Sequence, residues 1–204
     1  MPKSTEPWYI EFFSDDYQQI YGHTFSIERA KLEVAFIESL FKLPPKSRIL
    51  DLCCGQGRHA IILAKHGFEV TGQDLSPDYL RQAEEDAKKE NVRLQLIKED
   101  MRNIPFEGTF DAVINMFSAF GYLESEEQNL VVLKAIKNSL KPGGLLFMDL
   151  INREWVIRNY DQTAWRENQD GSVHLEHRAL DLLTSRNHVS FTIIHADGTR
   201  KVTA

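Results

Sequence analysis

Four short stretches of this chain combine residue types that do chemistry. In the first, Ile49-Leu-Asp-Leu-Cys-Cys-Gly-Gln-Gly-Arg-His-Ala60, an apolar run is followed by two glycines. Glycines at such a point let the backbone approach a ligand closely, and the N-terminus of a following helix offers N–H groups to a negative group. Asp51 is the unusual member: a carboxylate near a strand end either accepts hydrogen bonds from the turn or faces a cationic ligand group. Gly55-x-Gly57-x-x-Ala60, with Asp74 about 20 residues on, also fits a dinucleotide fingerprint. Taken alone, the loop suits either ligand, or a tight structural turn. The second stretch, Val70-Thr-Gly-Gln-Asp-Leu-Ser-Pro77, carries Asp74 with Leu75 beside it, and a carboxylate there can accept both hydroxyls of a ribose. The third is Glu99-Asp-Met-Arg102. Asp100 can accept an exocyclic amine of adenine, while Met101 supplies a soft contact and its N–H to the ring. The fourth, Asn115-Met-Phe-Ser-Ala-Phe-Gly-Tyr122, holds three aromatics and no charge, the composition of a pocket wall or of plain core.

The elements that must position these residues alternate. Arg48–Leu52, Phe68–Thr71, Arg93–Ile97, Phe110–Asn115 and Leu145–Leu150 read as strands. Between them, 58–66 reads as a helix closed by Gly67, and another runs from Pro77 to about Glu90 with Ser76 as its cap. Ser125 and Gln128 form a capping box for a helix to Leu140. Alternation of this kind predicts a parallel sheet covered on both faces, with ligands beyond the carboxyl ends of its strands. Upstream, Ile27–Phe41 reads as an amphipathic helix with Leu32, Ala35, Phe36, Ser39 and Leu40 on one face, capped by Ser26 and ended by Pro44 and Pro45. The first 22 residues, rich in Trp8, Tyr9, Phe12, Phe13, Tyr17 and Tyr21, are too apolar for a loose tail. Downstream, Val173–Leu183 and Asn187–Ala196 read as two extended stretches joined by Thr184, Ser185 and Arg186.

The composition narrows the function classes. The 204 residues are 42% hydrophobic and 26% charged, as in globular domains. A net charge of −6 gives no electrostatic footprint for nucleic acid or an anionic membrane. No apolar run approaches the roughly 18 residues of a membrane span, and Met1–Glu11 lacks the pattern of a secretory signal. Adjacent Cys53 and Cys54 suit neither a disulfide framework nor a zinc site, and read as free thiols in a reducing cytoplasm.

In this order and spacing, Leu50-Asp-Leu-Cys-Cys-Gly-Gln-Gly57, Gln73-Asp-Leu-Ser-Pro77, Glu99-Asp-Met101, Phe110-Asp-Ala-Val-Ile-Asn115 and Leu140-Lys-Pro-Gly-Gly144 resemble the class I S-adenosylmethionine (SAM)-dependent methyltransferases of the small-molecule type. The resemblance spans about half the chain. It implies an α/β fold: a Rossmann-like, doubly wound, mostly parallel sheet with an N-terminal helical lid and an antiparallel C-terminal addition. The whole would be one domain, with a lid over 1–45, a core over 46–152 and the addition over 165–204. It implies S-adenosyl-L-methionine as cofactor and a small-molecule methyl acceptor, with no nucleic acid, membrane or metal.

Carried over residue by residue, Gly55 and Gly57 would wrap the methionine end and Asp51 would lie near its amino group. Asp74, next to Leu75, would hold the ribose. Asp100 and Met101 would bind adenine, and Asn115 and Phe117 would flank the sulfonium. Tyr17 and Arg58 are candidates for the ligand carboxylate, and Cys53 stands where the family usually has a glycine. No catalytic residue is assigned; His23, His59 and Tyr122 are the groups considered, with His59 expected at a surface or helix end. His174 and His177 are expected on opposite faces of a strand.

By this resemblance either Val173–Ala196 supplies the last two strands of the family sheet in a reduced topology or, the preferred count since no helical segment lies between the two stretches, the last helix and two strands fall outside the sequence. That fits a shortened chain, or one whose open sheet edge pairs with a second copy. Two other readings are carried forward. An NAD-dependent oxidoreductase leaves Asp51 and Pro142-Gly-Gly144 unexplained; a SAM-binding protein without catalysis is the other.

Overall fold

The computed structural model describes residues 7–13, 17, 20–168 and 170–203. The chain divides into two compact units: Thr24–Leu150, and Met1–His23 together with Ile151–Ala204.

The first unit is built on five parallel strands, β1 (Arg48–Leu52), β2 (Glu69–Asp74), β3 (Gln95–Lys98), β4 (Phe110–Asn115) and β5 (Leu140–Met148), in the order β3-β2-β1-β4-β5. The order reverses at β1, so a crevice is expected beyond the ends of β1 and β4. Apolar runs in β1 and β4 are explained by burial on both faces: Leu50, Leu52, Ala112, Val113 and Ile114 are wholly enclosed. Each large aliphatic side chain so buried contributes about 1.5–3 kcal/mol. The sequence reading ends the second strand at Thr71, whereas β2 continues to Asp74 and sets that carboxylate at the strand terminus. β5 starts earlier than the sequence suggests, at Leu140, and includes the Pro-Gly-Gly stretch as an irregularity opposite β4.

Four helices in this unit connect or cover the strands. They follow the N-terminal helix α1 (Trp8–Phe12) and are α2 (Ile27–Phe41), α3 (Arg58–Lys65), α4 (Pro77–Lys89) and α5 (Glu126–Ser139). Ser26, Ser76 and Ser125 each accept the N–H three residues on, as the sequence predicts. The reading of α2 needs correction. Its buried residues are Ala30, Val34 and Ile37, while Leu32, Phe36 and Leu40 are exposed. The helix carries two apolar stripes, and the one with small and branched residues packs closely in the core with Ile49, Ala112 and Ile114. The helix also ends before the prolines, with Lys42 left-handed at φ 50° and its N–H on the Glu38 carbonyl.

The second unit contains α6 (Arg153–Arg158) and a separate antiparallel sheet, β6 (Thr163–Glu167), β7 (Val173–Asp181), β8 (Arg186–Ile194) and β9 (Arg200–Thr203), in the order β6-β7-β8-β9. The expected hairpin is β7–β8; β6 and β9 extend it on either side. The addition therefore makes its own sheet and does not lengthen the parallel one. The aromatic N-terminus is accounted for here. Phe12 and Ile20 form a core with Phe191 and Ile193, and Phe12 stacks on Phe191 at 5.7 Å between centroids. Of the segment 1–45, Phe12 and Ile20 thus pack on this sheet, and α2 packs on the parallel one. His174 is buried and His177 exposed, on opposite faces as expected. Among the described residues no helix is long and apolar enough to cross a membrane.

Candidate functional site

The site grows from the carboxyl ends of β2, β1 and β4. The parallel register sets Asp51 against Gly72 and Leu52 against Gln73, so Asp74 follows at the end of the neighbouring strand. Gly72 is small for a reason: a Cβ there would stand 2.9 Å from the Cys54 sulfur.

The turn between β1 and α3 is held in a left-handed zigzag. Cys53, Gly55 and Gly57 have φ of 61°, 54° and 74°. Cys53 occupies a conformation that glycine adopts freely, which costs an L-residue about 1–2 kcal/mol. The turn is pinned by the N–H of Cys54 on the Gln73 carbonyl (3.0 Å) and that of Gly57 on the Cys54 carbonyl (2.9 Å). Asp74 completes it. One oxygen accepts the N–H of Gly55 at 2.8 Å, and the other accepts that of Ser76 at 2.9 Å. Burial raises the Asp74 carboxyl against the pull of the N–H groups of Ser76, Gly55 and Leu75. Each oxygen has a second lone pair left over for a hydroxyl.

Asp51 is only 1% exposed, and its Oδ2 has no hydrogen-bond partner. Burial pushes its carboxyl up to about 7; Asp74 raises it further, while Arg58 and the Ala60 N–H oppose the shift. A buried carboxylate with an orphan oxygen is suited to a cationic guest, since leaving it unpaired is costly. Asn115 lies one level over, on β4. Its amide nitrogen donates to the Leu52 carbonyl at 3.0 Å and its Oδ1 is buried without a partner.

The loops after β3 and β4 close the remaining sides. Met101 sulfur meets Cys53 sulfur at 4.0 Å, joining the third loop to the first. Asp100 is gripped by Arg102 through Nε at 2.9 Å and Nη2 at 2.6 Å, which lowers its carboxyl. This pairing leaves Asp100 less free to accept an amine than the sequence alone suggests. Gln73, absent from the sequence-derived site, donates from Nε2 to the carbonyls of Asp100 and Asn103 at 3.0 and 3.2 Å and fixes that loop. The signal for it was a long polar residue at the strand end, just before Asp74. Arg58 stands over the rings of Phe25 and Phe117, whose role beside it the spacing of Phe25 did not reveal.

Asp51, Cys53, Gly55, Gly57, Arg58, Asp74, Leu75, Asp100, Met101, Asn115 and Phe117 all lie in the Thr24–Leu150 unit. Tyr17 belongs to the other unit, packed on Phe12, Phe13 and Tyr21. His59 stands at the helix end, as one half of the expectation had it, but not at a surface: it is 3% exposed, with Nε2 at 2.7 Å from Glu33 on α2. Burial lowers its pKa. The side chain of His23 lies outside the described residues. Burial and the nearby Asp carboxylates raise both thiols.

A parallel sheet whose order reverses, with a glycine turn and carboxylates at adjacent strand ends, is the arrangement of α/β domains that bind ligands at the switch point. Comparison with known proteins narrows the class. Residues 49–144 match the family model of a methyltransferase domain. YqeM of Bacillus subtilis (strain 168) is 41% identical over 109 residues, 53% of this chain and 44% of YqeM. The glycine/sarcosine N-methyltransferase of Parasynechococcus marenigrum is 32% identical over 156 residues, 76% of this chain and 52% of that enzyme. The crystal structure of a SAM-dependent methyltransferase from Clostridium acetobutylicum superimposes with a TM-score of 0.72 at 18% identity, covering 95% of this chain and 78% of that one, a likeness of fold. Over residues 49–144 the chain is similar to the methyltransferase domain, and its fold is that of a SAM-dependent methyltransferase. It spans about half the length of the curated relatives it matches. The dinucleotide reading of the glycine turn gives way to this family.

Proposed function

We propose that this chain binds S-adenosylmethionine and directs its methyl group to a small-molecule amine. The observation that carries the reading is the pair of carboxylates at the ends of β1 and β2. Asp51 has an unpartnered buried oxygen for an ammonium, and Asp74 is fixed by two N–H groups with lone pairs left for two hydroxyls. A methionine-bearing nucleoside presents both groups at once. The nitrogen acceptor is supported by the relative whose name records N-methylation of glycine and sarcosine. The two free thiols suit a reducing cytoplasm.

In this reading the donor supplies a methyl group already activated on a sulfonium. The work of the chain is placement and exclusion of water. Asp51 holds the ammonium and Arg58 the carboxylate. Gly55 and Gly57 let the turn come close, and Asp74, with Leu75 alongside, holds the ribose. Met101 gives adenine its N–H and its sulfur contact, with Cys53 behind it, while Asp100, held by Arg102, shapes the loop around the ring. Asn115 and Phe117 line the side from which the acceptor attacks. A neutral amine attacks without losing a proton first, so no general base is required at the transition state.

Thermal unfolding with SAM, S-adenosylhomocysteine and NAD tests the donor. A ligand of the folded state at 100 times its dissociation constant adds about 2.7 kcal/mol. Stabilisation by the first two alone is expected, and stabilisation by NAD alone refutes the reading. Transfer of labelled methyl to glycine, sarcosine and amino sugars, against phenols and catechols, then tests the acceptor.

A further inference from the structure

Arg58 sits in an unusual setting. Its guanidinium carbon is 4.7 Å from the centroid of Phe25 and 4.9 Å from that of Phe117. The two rings are 5.2 Å apart and set at 72°. The three centres make a nearly equilateral triangle, so the cation is lodged in a corner formed by two π systems. A cation is attracted to an aromatic face, and two faces at a steep angle restrain it along two directions. Arginine suits such a corner, because its charge is delocalised over a planar, weakly hydrated group.

The corner is built at a cost in backbone strain. Phe117 and Ser118 are consecutive non-glycine residues in the left-handed region, at φ 58° and 54°. They are strapped to Asp149 just beyond the end of β5. The Phe117 N–H donates to Asp149 Oδ2 at 3.1 Å, and the Ser118 N–H to the Asp149 carbonyl at 2.9 Å. The Asp149 N–H in turn donates to the Asn115 carbonyl at 2.9 Å. Strain of this kind, held in place by surrounding bonds, is found where a side chain must be aimed. On the other side, Phe25 directly precedes Ser26, the cap of α2, so its backbone is fixed by the helix start.

The placement of the cation is informative. Arg58 opens α3, immediately after Gly57, and its charge opposes the upward shift of the buried Asp51 carboxyl. Asp51 and Arg58 thus offer a carboxyl group and a cation, which with Asp51 ionised are the complement of an α-amino acid. We propose that Phe25 and Phe117 are positioning residues that hold Arg58 for the carboxylate of the donor's amino-acid tail, and so make the site select nucleosides that carry that tail over those that lack it. This rests on the donor reading above.

The test is calorimetric titration of S-adenosylhomocysteine and of 5′-methylthioadenosine, which keeps the nucleoside and lacks the tail. The proteins are the wild-type chain, Phe25→Leu, Phe117→Leu, Arg58→Ala, and Phe25→Leu combined with Arg58→Ala. Each Leu variant is expected to weaken S-adenosylhomocysteine about three- to tenfold and 5′-methylthioadenosine less than about twofold. With Arg58 already removed, Phe25→Leu should cost nothing further for either ligand. Equal losses for both ligands, or no loss for either, overturn the proposal. Should the Leu variants fail to fold, Phe25→Trp and Phe117→Trp take their place. They retain the π faces and should keep the wild-type preference for the tailed ligand, and a folded Trp variant that loses it overturns the proposal. If the wild-type chain binds neither nucleoside, the donor reading itself has failed. If it binds both equally well, that reading stands and the clamp is refuted.

Discussion

Asp51 offers the sharpest test of the site, because its protonation is coupled to what it binds. In the free protein its carboxyl is raised to about 7, with burial the largest cause. A guest ammonium against the orphan Oδ2 favours the ionised form and pulls the pKa back toward the ordinary range near 4. Binding then expels a proton whenever the free site is protonated. The apparent dissociation constant scales as one plus the ratio of protonated to ionised Asp51. Between about pH 7.5 and pH 5.5 that factor grows from about 1.3 to about 33, a weakening of roughly 25-fold on acidification. Calorimetry of S-adenosylhomocysteine near pH 7, in buffers of differing ionisation enthalpy, should count about half a proton released. Asp51→Asn should flatten the pH profile and abolish the release, and 5′-methylthioadenosine, which has no ammonium, should show neither effect. The same shift predicts a stability signature. The folded pKa lies above the unfolded value of 3.8, so the folded state holds more protons between the two. Stability therefore falls as pH rises from about 4 to about 7, by up to roughly 4 kcal/mol. Asp51→Asn should remove that fall and melt higher than wild type at about pH 8 while binding the tailed ligand worse. Affinity independent of pH over this range, with no proton released, refutes the assignment of Asp51 to an ammonium.

Other expectations follow from the geometry. Gly57→Ala should destabilise by about 2–3 kcal/mol in urea unfolding, since it forces φ 74° on an L-residue and drives a Cβ to 3.0 Å from that of Ala83. Gly55→Ala meets nothing within 4 Å and should cost only the left-handed strain, about 1 kcal/mol. Ile37→Ala should cost about 2–5 kcal/mol, and Leu32→Ala, at a side chain 73% exposed, within about 0.5 kcal/mol. The reverse order would restore the face of α2 expected from its sequence. Asp74→Ala leaves the N–H groups of Gly55 and Ser76 without their acceptor, so a melting loss of about 1–3 kcal/mol and at least tenfold weaker binding of S-adenosylhomocysteine should appear together.

Much of this was legible in the residues because the strand ends are punctuated. The glycine turn after Leu52, the Ser76-Pro77 cap after Asp74 and the capping box at Ser125 each have a local physical cause, and each falls where the sequence puts it. What depended on tertiary packing was not legible. Two apolar stripes on α2 satisfy the same period, and only the closeness of the sheet selects Ala30, Val34 and Ile37. His59 has the composition of a helix start, and its burial depends on Glu33, 26 positions away. Phe25 gives no periodic signal, and its partner in the corner around Arg58 lies beyond β4. Asp100 looks available in the sequence; the short-range grip of Arg102 emerges only when the loop folds.

The distribution of unsatisfied polar atoms argues that the strand-end cluster is a site and not a packing accident. A buried acceptor left without a partner costs about 1–3 kcal/mol. Among the described residues four side chains carry such an atom: Asp51, Gln73, Asn115 and Asn129. Asn129, alone on α5, shows that one orphan by itself implies little. The other three occupy β1, β2 and β4, which are adjacent, with Gln73 paired to Leu52 and Ile114 paired to Asp51. They therefore lie within about one residue of a common level, at the carboxyl edge where the sheet order reverses. Gln73 and Asn115 share the face of Leu52, while Asp51, one residue back, points to the opposite face of the sheet. For the orphan oxygen of Asp51 a guest ammonium would supply the donor and also relieve its raised carboxyl.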